Sequence, residues 1–131
     1  MTQAPAPVRD REALIANMAP VLDPRRWCFV AVTPGRAPEL LGAALGTFRE
    51  DEGVTAIVPA DLAEDAPAFA RIILTVHSDL EGVGLTAAVS SALAEAGIAC
   101  NVVAALHHDH LFVPAARAEE AMGALAALPA S

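Results

Sequence analysis

Apolar and polar positions change their period twice between Ile72 and Pro114, and the changes predict a strand, a helix and a hairpin. Leu85, Ala88, Val89, Ala92, Leu93 and Ala96 recur at i, i+3, i+4, i+7, i+8 and i+11, a single apolar stripe on an amphipathic helix. Gly97 follows at once, where a left-handed residue can satisfy the last helical carbonyls. Ile72–Val76 before the helix and Val102–Val103 after it are rich in β-branched residues. Strand, crossover helix and strand imply two parallel strands joined by a right-handed connection. Alternation along Arg71–His77 sets Ile72, Leu74 and Val76 on one face and Arg71, Ile73, Thr75 and His77 on the other. Asn101–Leu106 is apolar or small on both faces. A sheet with helices on one side and water on the other should alternate cleanly. These strands do not, so a second subdomain or a second copy of the chain must cover the other face. A homodimer is the natural outcome.

The same plan occurs twice. Val58–Ala66 (VPADLAEDA) and Val113–Ala121 (VPAARAEEA) share six of nine residues at an offset of 55. Upstream of each lies a 15-residue hairpin, Leu45–Pro59 turning at Glu50–Gly53 and Cys100–Pro114 turning at His107–Asp109. In each, a proline ends the last strand and opens an acidic helical turn. Further back, Trp27–Thr33 pairs with Arg71–His77 at an offset of only 44. The first unit therefore has a degraded crossover, Pro34–Ala44, in place of a long helix. The second unit ends in a helix, Ala116–Leu128, without a fourth strand. Trp27–Val32, after an N-terminal helix at about Asp10–Met18, is placed to supply it.

The stretch TVHSDLEGVGLTAAV, followed by AGIACNVVAA and HHDHLFVP, resembles stand-alone bacterial proteins of ACT type. More broadly it resembles the ACT domain, a small βαββαβ ligand-sensing module. The likeness covers residues 70 to about 128, and Thr47–Thr55 resembles the first half of the same proteins. The implied fold is α+β and ferredoxin-like, with two intertwined ACT-like subdomains and antiparallel or mixed sheets. On this reading residues 1–9 form a disordered lead, 10–68 a degenerate ACT-like subdomain and 69–131 an ACT-like domain.

Composition narrows the partners. Apolar residues make up 55% of the 131 and charged ones 18%, enough to build a core. Net charge is −8, and every basic residue is arginine. That balance argues against nucleic acid and against an anionic membrane surface. No apolar run approaches the roughly 20 residues of a spanning helix. Met1–Pro7 has no basic region followed by an apolar one, so no secretory signal is expected. Cys28 and Cys100 fall in strand patterns and read as buried thiols of a cytoplasmic protein.

The loop Ser78–Gly84 joins strand to helix. Gly82 and Gly84 permit close backbone approach, and the first helical amides lack intrahelical acceptors, which suits a carboxylate. Asp79 could take an ammonium group. Equally, Asp79 and Glu81 could serve only the helix dipole, and the glycines only the turn. In ACT domains this loop and the start of the next strand form the effector site. The resemblance thus implies a ligand site at Ser78, Asp79, Gly82, Val83, Gly84 and Leu85, with Asn101 and Val102 contributing from the strand.

His77, His107, His108 and His110 should gather with Asp109 at one sheet edge beside that loop. Three readings stay open there: a zinc or nickel site, ligand recognition with pH sensitivity, or a polar turn packed at a dimer interface. The spacing matches no recognised metal motif, and no metal or cofactor is assigned. Catalysis is disfavoured: there is no G-x-S-x-G or P-loop, and neither cysteine has a neighbouring base in sequence. The expected protein is a non-catalytic regulator, a homodimer or higher homo-oligomer binding a small molecule, an amino acid by family analogy. The alternatives are an oligomeric scaffold without a ligand and a metal-binding histidine edge.

Overall fold

The computed structural model describes residue 15 and residues 18–75 and 84–128. In chain order these form β1 (Pro20–Ala31), α1 (Ala37–Ala43), β2 (Gly46–Glu50), β3 (Gly53–Pro59) and β4 (Phe69–Leu74). There follow α2 (Leu85–Glu95), β5 (Asn101–Ala104), β6 (Asp109–Pro114) and α3 (Ala118–Ala126). One six-stranded sheet has the order β2-β3-β1-β4-β6-β5, with every neighbouring pair antiparallel.

This order is two interlocked ferredoxin-like units. In the second, β4 lies beside β6 and β5 beyond it. Both are antiparallel to β6, so β4 and β5 are parallel, with β6 between them. The missing fourth strand is β1, hydrogen-bonded to the free side of β4. The first unit repeats the plan with β1, β2 and β3, and β4 serves as its fourth strand. The units are thus joined by an exchange of first strands. Trp27 pairs with Pro59 as Phe69 pairs with Pro114, and Trp27 and Phe69 pair with each other. The internal two-fold axis crosses the sheet at that pair. Trp27 accordingly corresponds to Phe69, two residues before the match suggested by sequence. Pro59 (φ −54°, ψ 137°) and Pro114 (φ −51°, ψ 132°) each open a 3₁₀ turn in nearly the same conformation.

Several boundaries differ from the sequence reading. β1 begins at Pro20 rather than Trp27, and β4 at Phe69 rather than Arg71. Pro20 and Pro24 argue against a central strand, but the β1–β4 register shifts between Leu22 and Arg26, so Pro24 falls where no ladder bond is required. The first crossover keeps a two-turn helix, α1, after a 3₁₀ turn. The second hairpin turns at Ala105–His108, closed by the Ala105 amide donating to the His108 carbonyl at 3.1 Å, which leaves Asp109 as the first residue of β6. Of the N-terminal helix expected at about Asp10–Met18, only Ile15, which is helical, and Met18, which is not, are among the described residues.

Among the described residues, helices cover one face only. Of the predicted stripe, α2 buries Leu85, Ala88, Val89 and Leu93 against Ile72, Leu74, Leu111 and Val113 and against Ala121 and Leu125 of α3, while Ala92 is half-buried and Ala96 exposed. A smaller cluster of Cys28, Leu40, Ala56 and Val58 occupies the equivalent place in the first unit. α2 closes with a Schellman motif: the Gly97 amide donates to the Ala94 carbonyl and Ile98 to Leu93, at 2.9 Å each. Gly97 has φ 72°, a left-handed conformation that disfavours a β-carbon. Gly97→Ala is expected to lower stability by about 1 kcal/mol, read as a lower urea midpoint at unchanged slope. Arg117 secures the same corner, donating to the Ala96 and Gly97 carbonyls and pairing with Glu120.

The opposite face carries no helix among the described residues, yet Trp27, Ile57 and Phe112 are buried there. The sheet is curled, and its hollow is partly filled by aromatic side chains. Phe29 meets Phe69 and Phe112 edge-on, with centroids 5.5 and 5.2 Å apart. Phe48 of β2 pairs with Thr55 on this face too, so all five aromatic residues of the chain lie on it. The irregular alternation has its explanation here: the second unit extends the sheet and the curl buries what a flat sheet would expose. A second copy is not required for that purpose.

Candidate functional site

Of the residues expected to bind ligand, Ser78, Asp79, Gly82 and Val83 lie outside the described residues, as does His77. Gly84 does not, and it caps α2 with φ 102°, a conformation that favours glycine. Its carbonyl accepts the first helical bond, from Ala88 at 3.0 Å. The amides of Leu85, Thr86 and Ala87 thus have no acceptor within the helix. The Leu85 side chain is buried in the core, so only its backbone can face a ligand. Asn101 is exposed and Val102 packs partly against the core.

Among the described residues, the strand that enters the loop and the start of β5 stand at different levels. Leu74, which leads into the loop, is level with Asp109 and Ala104, whereas Asn101 is level with Phe112 and Arg71. Three residues of strand, about 10 Å, separate the two levels. Beside Leu74, on the helix-covered face, sits Asp109, only 8% exposed. Burial pushes its carboxyl above the usual aspartate range, against the opposing pull of His110 and His108.

The other imidazoles separate. His110 lies on the concave face, where its Nδ1 is 3.5 Å from Arg71 Nη1. Burial, Arg71 and His108 together hold His110 below the ordinary histidine value. His107 and His108 sit in the turn with ring centroids 6.5 Å apart, and His108 Nδ1 is buried without a hydrogen-bond partner. Among the described residues no three His, Cys, Asp or Glu side chains are grouped to hold a metal ion. Cys28 and Cys100 are free, and burial raises both thiols away from the thiolate form a nucleophile needs.

The strongest electrostatic feature was not foreseen. Asp23, in the β1 bulge, accepts from the Arg25 amide and the Trp27 indole at 2.9 Å each, and from Arg71 Nε at 3.0 Å and Nη2 at 2.8 Å. Burial alone would raise this carboxyl, but the Arg25, Trp27 and Arg71 hydrogen bonds and the Arg71 charge bring it down to about 2. The guanidinium of Arg25 lies 4.6 Å from the Trp27 ring centroid, which adds a cation–π contact. One sequence signal was present: an arginine within an otherwise apolar strand requires a buried acid. Its partner, 48 residues away, could not be read from the chain.

ACT-domain profiles match residues 6–69 and residues 71–127. The chain belongs to the ACT-domain family. This ACT-domain protein is similar to a solved Vibrio cholerae protein of unknown function, described as a possible transport protein. They share 40% identity over 87% of this chain and 91% of that one, with a TM-score of 0.76. In fold it also resembles the regulatory subunit of aspartate kinase from Thermus thermophilus, solved ligand-free, at 15% identity over 84% and 95% of the chains and a TM-score of 0.63. The corresponding subunit from Thermus flavus gives 15%, 82% and 94%, and 0.59. Comparison with curated proteins gives no significant match. The ACT fold supports a ligand-binding regulatory role. Among the described residues no helix is long and apolar enough to cross a membrane.

Proposed function

We propose that this protein is a non-catalytic cytoplasmic sensor that binds an amino acid reversibly through Ser78–Leu85, as a homodimer. The observation that carries the reading is the start of α2, where left-handed Gly84 leaves the Leu85, Thr86 and Ala87 amides without helical acceptors at the effector position of an ACT unit. Those donors suit an α-carboxylate, and Asp79 suits the ammonium. Asn101, which starts β5 ahead of Val102, lies three strand residues from the level of Leu74, where the loop begins. In this reading the loop comes from one protomer and the β5 start from its partner, which couples ligand to assembly.

The test is a thermal-shift screen of the full chain against the twenty amino acids, with sedimentation on any hit. A ligand at 100 times its dissociation constant adds about 2.7 kcal/mol of native stability, a shift of several degrees. The expected result is a shift with one amino acid or a related few, lost in Asp79→Ala while the unliganded melting temperature holds, with the liganded protein sedimenting as a dimer. A shift that survives Asp79→Ala, or no shift with any amino acid, would sink this reading and favour a scaffold.

A further inference from the structure

The curl of the sheet brings its two outer strands, β2 and β5, to the same cleft. Two hollows of about 180 and 240 Å³ adjoin there, sharing Gly46, Ile57 and Val103. The first is lined by Phe112 and His110, and the second runs between Phe29 and Phe48. Phe48 is 71% exposed although the other four aromatic residues pack together on the same face. It stands at the mouth with an uncovered ring. Gly46 forms part of the wall, and a β-carbon built on it would meet nothing nearer than Ile57 Cδ1 at 4.0 Å. The space exists because that position carries no side chain.

Size and chemistry limit the occupant. A helix, about 10 Å across, does not fit, and neither hollow reaches the roughly 300 Å³ at which drug-sized ligands begin. The first hollow has one polar side chain in its wall, His110. Arg71 commits Nε and Nη2 to Asp23, and its remaining terminal nitrogen, Nη1, faces His110 Nδ1. With Nδ1 receiving that proton, neutral His110 carries its own hydrogen on Nε2 and is a donor. That donor favours an acceptor oxygen, such as one of a carboxylate. No acidic residue lines either hollow, so nothing there would receive an ammonium group.

We propose that this cleft is a binding site, separate from the glycine loop, for a compact apolar carboxylate without an amino group. Its aromatic or branched aliphatic body lies between Phe29, Phe48 and Val103, and its carboxylate points toward His110. The rings supply the apolar contact and the histidine end fixes orientation, the usual division of labour in a small-molecule site.

The experiment is calorimetric titration of the full-length protein with 3-phenylpropanoate and 4-methylpentanoate, against 3-phenylpropylamine as the charge-reversed control. Saturable binding of a carboxylate at one per chain is expected, with the amine at least about tenfold weaker. Gly46→Leu should abolish binding while circular dichroism and the unfolding midpoint stay at parental values. Phe48→Ala removes an exposed ring, leaves the fold intact and should weaken binding severalfold. Asp79→Ala should leave it unchanged, which separates this cleft from the glycine-loop site. Equal affinity for the amine, undiminished binding in both Gly46→Leu and Phe48→Ala, or no binding at millimolar carboxylate would each overturn the proposal.

Discussion

Asp23→Ala is expected to lower the free energy of unfolding by about 3–5 kcal/mol, because it leaves the Arg71 guanidinium buried without a counter-charge. The Arg71 side chain is 10% exposed and that of Asp23 5%, so water can replace little of what is lost. The variant also removes the acceptor of the Trp27 indole and the Arg25 amide, adding unsatisfied donors to an uncompensated charge. Denaturant unfolding of parent and variant at neutral pH measures the difference. A loss below about 1 kcal/mol would show that Arg71 relaxes to solvent. The same carboxyl gives the stability a defined acid limb. Its folded value near 2 lies below the unfolded value of 3.8. The resulting stabilisation, about 2 kcal/mol, is complete above roughly pH 4 and is lost as pH falls through 2. In Asp23→Ala that part of the pH dependence should disappear.

Phe112→Ala should cost about 3–5 kcal/mol, since Phe112 is 1% exposed and meets Phe29 edge-on. Its magnitude distinguishes two accounts of the concave face. If the curl alone buries the aromatic cluster, the loss is the same at micromolar and at much higher protein concentration. If a second copy supplies the burial, the loss varies with concentration. Equilibrium unfolding at two concentrations, checked by sedimentation, decides between them.

What could be read from the sequence was what repeats or is local. The α2 stripe and the glycine after it are local periodicities, and they correspond to buried Leu85, Ala88, Val89 and Leu93 and to left-handed Gly97. The matched Val-Pro-Ala segments gave two units of one plan, and the absence of a fourth strand in the second pointed to the strand that β1 supplies. The misread regions depend on contacts distant in sequence. Pro20 and Pro24 hid the first half of β1: Pro20 is tolerated as the first residue of the strand and Pro24 because it falls in the bulge opposite β4. The Asp23–Arg71 pair spans 48 residues and has no periodicity to reveal it. The cleft was hidden for a related reason. Alternation assigns residues to faces, but sheet curvature decides whether a face is buried, and curvature has no sequence period. At the candidate ligand loop, only Gly84, Leu85, Asn101 and Val102 could be placed.

The exchange of first strands has a consequence for how the two halves can differ. Two identical half-chains assembled about the axis at Trp27 and Phe69 would carry every substitution twice, one copy in each half. Joined in a single polypeptide, they escape that symmetry. One half can shorten its crossover to the seven residues of α1 while the other keeps the eleven of α2 and a glycine at its start. Each half still depends on the other for its last strand, so neither can be discarded. Specialisation and mutual dependence come from the same covalent join.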